Sequence, residues 1–244
     1  MRPNIRSASG AILMLAIIPI FVGLLACKPV PIGNPEKSRI DPEISGVWFL
    51  TMEDELNGLY HFLPFDKRAW ILTGVPLEEG PDYKGEPFDL ENAKDAIDVL
   101  QAFGVGDDGV TATVTVIYKA WLTKLAGHMF MTWEITTAFD DEGEYDNEYW
   151  LTFRVDKISK DQVDLYLVNG DHDAFDDRKE PVEGRRAHEY PAAVRRDWER
   201  ALKKAARNVD DEELYLEEPW VLHRVPEDLV GETFELFGEV LSTD

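Results

Sequence analysis

The stretch Val110-Thr-Ala-Thr-Val-Thr-Val-Ile-Tyr-Lys-Ala-Trp-Leu-Thr-Lys124 sets Val110, Ala112, Val114, Val116 and Tyr118 at every second position, with Thr111, Thr113 and Thr115 between them. A helix returns apolar side chains to one face every three to four residues, so a period of two predicts a long strand with one face turned to a core. The β-branched Val and Thr suit that pleated surface. Ala126-Gly127 follows, able to turn the chain back into a second strand over His128 to Thr137. A strand, a short turn and its return make an antiparallel pair.

Towards the amino terminus, Leu90, Ala93, Ile97, Leu100 and Phe103 fall at helical spacing, with Asp89 placed to cap the start and Gly104 to end it. Before them, short strand signals at Gly46 to Met52, Leu59 to Phe65 and Arg68 to Gly74 are separated by Asn57-Gly58 and Asp66-Lys67, which predict turns. Towards the carboxyl terminus, strands are expected at Tyr149 to Val155 and from Asp161 to Leu167, then a second helix carrying Val194, Trp198, Ala201, Leu202 and Ala205. Pro191 and Asn208 bracket that helix. Leu214 to Val225 reads as a strand broken at Pro219, and Leu229 to Leu241 fits either period. About eight strands joined by short turns, with two helices, predict a mainly β chain: an antiparallel meander sheet or a lipocalin-like barrel.

Gly46-Val47-Trp48, at the start of the first strand, resembles the GxW element with which lipocalins begin. The resemblance implies a barrel in which a late arginine packs over that tryptophan, and Arg224 is the residue placed to do so.

The amino terminus carries a separate message. Arg2 and Arg6 precede Ala11 to Ala26, an uncharged, mostly apolar run interrupted by Pro19 and Gly23 and ending in small residues. This is the order of an export signal, and the run is short of the roughly 20 apolar residues of a spanning helix. Leu24-Leu25-Ala26-Cys27 resembles the lipobox of bacterial lipoproteins. That resemblance implies cleavage between Ala26 and Cys27, diacylglycerol on Cys27, and anchoring to the lipid bilayer. Lys28 stands where, in Gram-negative families, an aspartate would favour retention at the inner membrane, so the expected location is the periplasmic face of the outer membrane. Cys27 is the sole cysteine, which leaves no internal disulfide and no cysteine-based metal site. Residues 27–40, with Pro29, Pro31 and Pro35, read as a lipidated cysteine and a proline-rich tether, and residues 41–244 as one acidic domain.

Without residues 1–26, which hold two arginines and no acid, the formal charge of -23 becomes -25 over 218 residues. Such an excess repels phosphate and argues against binding nucleic acid or anionic lipid headgroups through a general electrostatic attraction. Local motifs point to no catalyst. Gly104-Val-Gly106-Asp-Asp-Gly109 matches GxGxxG, but it follows a helix and precedes a strand, the reverse of a dinucleotide site, and Asp107 and Asp108 oppose phosphate. His188-Glu189 is followed by Tyr190-Pro191 and cannot form HExxH, and no GxSxG elbow occurs. Gly170 to Asp177 collects Asp171, Asp173, Asp176 and Asp177 around His172, oxygen ligands of the type calcium takes, but without EF-hand spacing. Asp171, Asp173 and Asp176 are the candidate metal ligands, with calcium the cofactor they would hold and an ordinary solvated loop the alternative. The expectation for function is a membrane-anchored, non-enzymatic binding or assembly module for an envelope protein or a small apolar ligand. The alternative is an envelope hydrolase or carbohydrate-active enzyme with a site built from distant carboxylates.

Overall fold

The computed structural model describes residues 32–76, 93–94, 115–140, 143–145, 150–176, 192–207, 212–216 and 218–235. Its strands are β1 (Gly46–Met52), β2 (Glu55–Pro64), β3 (Ala69–Pro76), β4 (Thr115–Leu125), β5 (His128–Asp140), β6 (Gly143–Tyr145), β7 (Trp150–Lys157), β8 (Gln162–Leu167) and β9 (Trp220–Arg224). Each pairs antiparallel with its neighbours in the order β4-β3-β2-β1-β9-β8-β7-β5-β6, and β4 also pairs with β5. That last pairing closes a ring of eight strands, with β6 lying outside it as an extension of β5. The chain is therefore a closed eight-stranded antiparallel barrel of lipocalin-like form.

Alternation decides what the barrel holds. Trp48 and Leu50, Tyr60 and Phe62, Trp70 and Leu72, Tyr118, Ala120 and Leu122, and Met131 and Trp133 all point inward, joined by Phe153, Leu165, Trp220 and Leu222. The hairpin read at Ala126-Gly127 is present, with both residues at positive φ (53° and 96°), the handedness that matches strand twist. Asn57-Gly58, read as a turn, instead lies inside β2, where Gly58 faces Leu50 and Pro76 across the sheet. The turn falls at Glu53-Asp54, both left-handed (φ 54° and 64°), because a bulge between Leu50 and Thr51 shifts the register. Gly74 faces Tyr60, whose ring would lie 2.5 Å from a Cβ at that position, so the missing side chain is what admits the aromatic ring.

Outside the barrel, helix α1 (Ala192–Ala205) buries Trp198, Ala201 and Leu202. It forms one apolar cluster with Phe130 of β5, with Phe175 and Leu214, and with Ile32. A second helix, α2, occupies 230–235 in the segment that fitted either period. The helix expected over Leu90 to Phe103 lies outside the described residues apart from Ala93 and Lys94, both helical, and residues 110–114 of the quoted strand also lie outside them.

The tether needs correction. Ile32 is fully buried, and its carbonyl accepts hydrogen bonds from Trp121 Nε1 and Thr132 Oγ1, each at 3.0 Å. Gly33 lies so close to Thr123 that only a residue without Cβ fits, at φ +86°. Ser38 Oγ donates to the Leu122 carbonyl at 2.6 Å and accepts from the Leu122 amide. From Ile32 onward this segment is thus part of the packed body, held by a backbone carbonyl satisfied in the interior.

Candidate functional site

One end of the barrel gathers the amino-terminal segment, the β2–β3 turn, the β4–β5 hairpin and the β7–β8 turn. Arg224 and Trp48 close it. The Trp48 indole donates to the Ile44 carbonyl at 2.8 Å, and the Arg224 guanidinium lies 4.1 Å from the ring centre. The same guanidinium donates from Nε to the Lys160 carbonyl (3.0 Å), from Nη1 to the Ser45 carbonyl (3.2 Å) and from Nη2 to the Glu43 carbonyl. Gly46 has φ +123°, and a Cβ there would stand 2.9 Å from Nη1, which accounts for glycine before Val47-Trp48. Burial pulls the Arg224 pKa down while Asp161 and Glu43 push it back up, and an arginine so placed stays charged. Lys157 reaches Glu43, and Asp41 at 3.7 Å; the hydrogen bond to Glu43 is the main cause of its raised pKa. The arginine expected over the GxW tryptophan is therefore where the sequence placed it.

Inside, Trp133 occupies the centre. Its ring lies 4.8 Å from Phe153, 5.4 Å from Tyr118, 5.8 Å from Tyr60 and 6.0 Å from Phe62 and Trp220. Burial pushes the Tyr60 phenol far above its ordinary range, so it stays protonated. Among the described residues, the barrel interior around Trp133 is occupied by side chains.

The outward surface of the same end is different. Leu63, Phe65 and Ile158 are exposed, Phe65 by 65 % and Ile158 by 59 %, beside Lys67, Arg68, Lys124 and Lys160. A recess of about 80 Å³ lies here between Phe65, Asp66, Arg68, Pro35, Glu36 and Lys119. That is far below the several hundred Å³ of small-molecule pockets.

Of the residues marked from sequence, Ala26 and Cys27 lie outside the described residues, as do Gly104 to Gly109. Asp171, Asp173 and Asp176 sit in a loop with local structural work. Asn169 Oδ1 accepts from the Asp171 amide, and His172 Nδ1 accepts from the Ala174 amide to cap the short 3-10 helix Asp173–Phe175. Phe175 of that helix stacks on Trp198 at 5.0 Å. Among the described residues, no three His, Cys, Asp or Glu side chains converge as metal ligands. No described helix is long and apolar enough to cross a membrane. No family model matches the chain, and neither a curated protein nor a solved structure matches it.

Sequence reasoning did not single out His61 and His223, on the outer face of β2 and β9. The Phe234 ring of α2 meets His61 edge-on at 5.0 Å, and Thr51 Oγ1 lies 3.3 Å from His223 Nε2. Burial lowers both pKa values, with Asp164 and Asp54 partly opposing it at His223. The unfolded chain then binds more protons below about pH 6.5, so these groups make stability fall as pH drops below that value. Urea midpoints measured from pH 8 to pH 5 should fall less steeply in His61→Gln/His223→Gln than in the native chain; parallel curves would refute the assignment.

Proposed function

We propose that the chain is an envelope lipoprotein, held through acylated Cys27 at the periplasmic face of the outer membrane, whose barrel is a binding or assembly module for another envelope protein. The observation that carries the reading is the filled interior: with Trp133 and its aromatic neighbours occupying the barrel, recognition falls to the outer surface. This favours a protein partner over the small apolar ligand of a carrier barrel. Cys27 supplies the location, since two or more acyl chains hold a protein stably where one does not.

Metabolic labelling with a fatty acid tests the anchor. The native chain should incorporate label and fractionate with membranes, and Cys27→Ser should do neither; equal labelling of the two would reject the assignment. An environment-sensitive fatty-acid probe added to the folded protein should show no saturable binding inside the barrel, whereas stoichiometric binding would restore the carrier reading.

A further inference from the structure

We infer that the barrel docks end-on to an anionic bilayer, with Phe65 and Ile158 entering the headgroup layer and Lys67, Arg68, Lys124 and Lys160 facing lipid phosphates. The inference rests on the anchoring of Cys27 proposed above and adds an orientation to it.

Three observations carry it. The first is polarity along the barrel. Exposed Phe65 and Ile158 stand at the tips of the β2–β3 and β7–β8 connections, on opposite sides of the same barrel end, with Lys67 and Arg68 following the one and Lys160 the other. Of the carboxylates there, Asp41 and Glu43 pair with Lys157, Asp161 pairs with Arg224 and takes Lys160 at 3.7 Å, Asp66 accepts the Arg68 and Ala69 amides, and Glu36 is exposed. Glu227 and Asp228 follow β9, where the chain turns back along the outside of β1 and β2.

The second is the opposite end. The β1–β2 turn presents exposed Glu53, Asp54 and Glu55. Among the described residues, exposed Lys67, Arg68, Lys124 and Lys160 stand at the end that carries the apolar tips, and helix α1 carries a second basic group in Arg195, Arg196, Arg200, Lys203 and Lys204. Apolar side chains ringed by lysine and arginine suit a surface of acyl chains beneath anionic headgroups, and the acidic end is repelled by it.

The third is reach. The Ile32 carbonyl is fixed to Trp121 and Thr132, and Cys27 precedes it by five residues. Five extended residues span at most about 17 Å. From Trp121 to the end of β4 at Leu125 is four residues, about 13 Å along the strand, and to its other end at Thr115 six residues, about 20 Å. The hairpin end is the nearer to the anchor, so an acylated Cys27 brings that end to the bilayer.

The test uses the full lipidated chain in vesicles of phosphatidylethanolamine and phosphatidylglycerol whose acyl chains carry bromine. A fluorophore is placed on Ser159→Cys, beside Ile158, or on Asp54→Cys, at the acidic end; acylated Cys27 takes no label. The dye at position 159 should lose most of its emission to bromine quenching and the dye at position 54 should keep it. Adding Phe65→Asp and Ile158→Asp should abolish the quenching at position 159 while the chain still floats with the vesicles; both positions are exposed, and an unchanged melting curve confirms the fold. Floating chains quenched alike at the two positions, or unaffected by the aspartates, would overturn the docking and leave the anchor standing. A chain that does not float would overturn the anchor, and the docking with it.

Discussion

Trp133→Ala is expected to cost about 3–5 kcal/mol, the range for removing a large aromatic side chain from a core. For a domain of this size that lowers the melting temperature by roughly 6–20 °C. The ring is fully buried and meets Tyr60, Phe62, Tyr118, Phe153 and Trp220, so no single neighbour can swing in to fill the space. Its indole donates to the Met131 sulfur at 2.9 Å, a weak acceptor, so most of the loss should come from packing. Trp133→Phe, which keeps a ring, should lose much less. The alanine variant should also gain a dry apolar void able to bind indole, with partial recovery of the melting temperature. A variant that melts with the native chain would mean that the barrel is not packed around this residue.

Arg224→Met should cost about 2–4 kcal/mol, read as a shift in urea midpoint. Methionine keeps an apolar stem over Trp48 but leaves the carbonyls of Glu43, Ser45 and Lys160 without their donor. Part of the loss is the cation held against the indole face. Arg224→Lys should recover only a fraction, because an ammonium cannot reach three carbonyls in one plane and cover the ring as well. A neutral Arg224→Met would show that the barrel end is held by other contacts.

How much of this could be read beforehand follows the range of each interaction. The alternation from Val116 through Trp133 and the Ala126-Gly127 hairpin are local, and they gave the architecture. The GxW tryptophan and its arginine were legible only through a resemblance, since they are 176 residues apart in the chain. Asn57-Gly58 misled because a local turn signal yields to register: the bulge between Leu50 and Thr51 carries the dipeptide into β2, where Gly58 pairs with Leu50, and the turn moves to Glu53-Asp54. The proline-rich segment reads as a tether because its partners Trp121, Leu122 and Thr132 lie more than 80 residues away. The basic, apolar-tipped end was not legible at all. Phe65 and Ile158 are ordinary isolated apolar residues until the topology puts both of their connections at the same end of the barrel.

The ring is sealed by its shortest member. β9 has five residues, arrives after a connection of more than fifty, and is the one strand that joins the first hairpin to the last. Until it arrives, β1 and β8 are both unpaired edges, each offering a row of amide and carbonyl groups to any passing strand. A chain emerging from its amino terminus presents those edges first and covers them last. Nascent or truncated forms that stop before Trp220 should therefore depend on a chaperone or stick to one another, however sound their hairpins are.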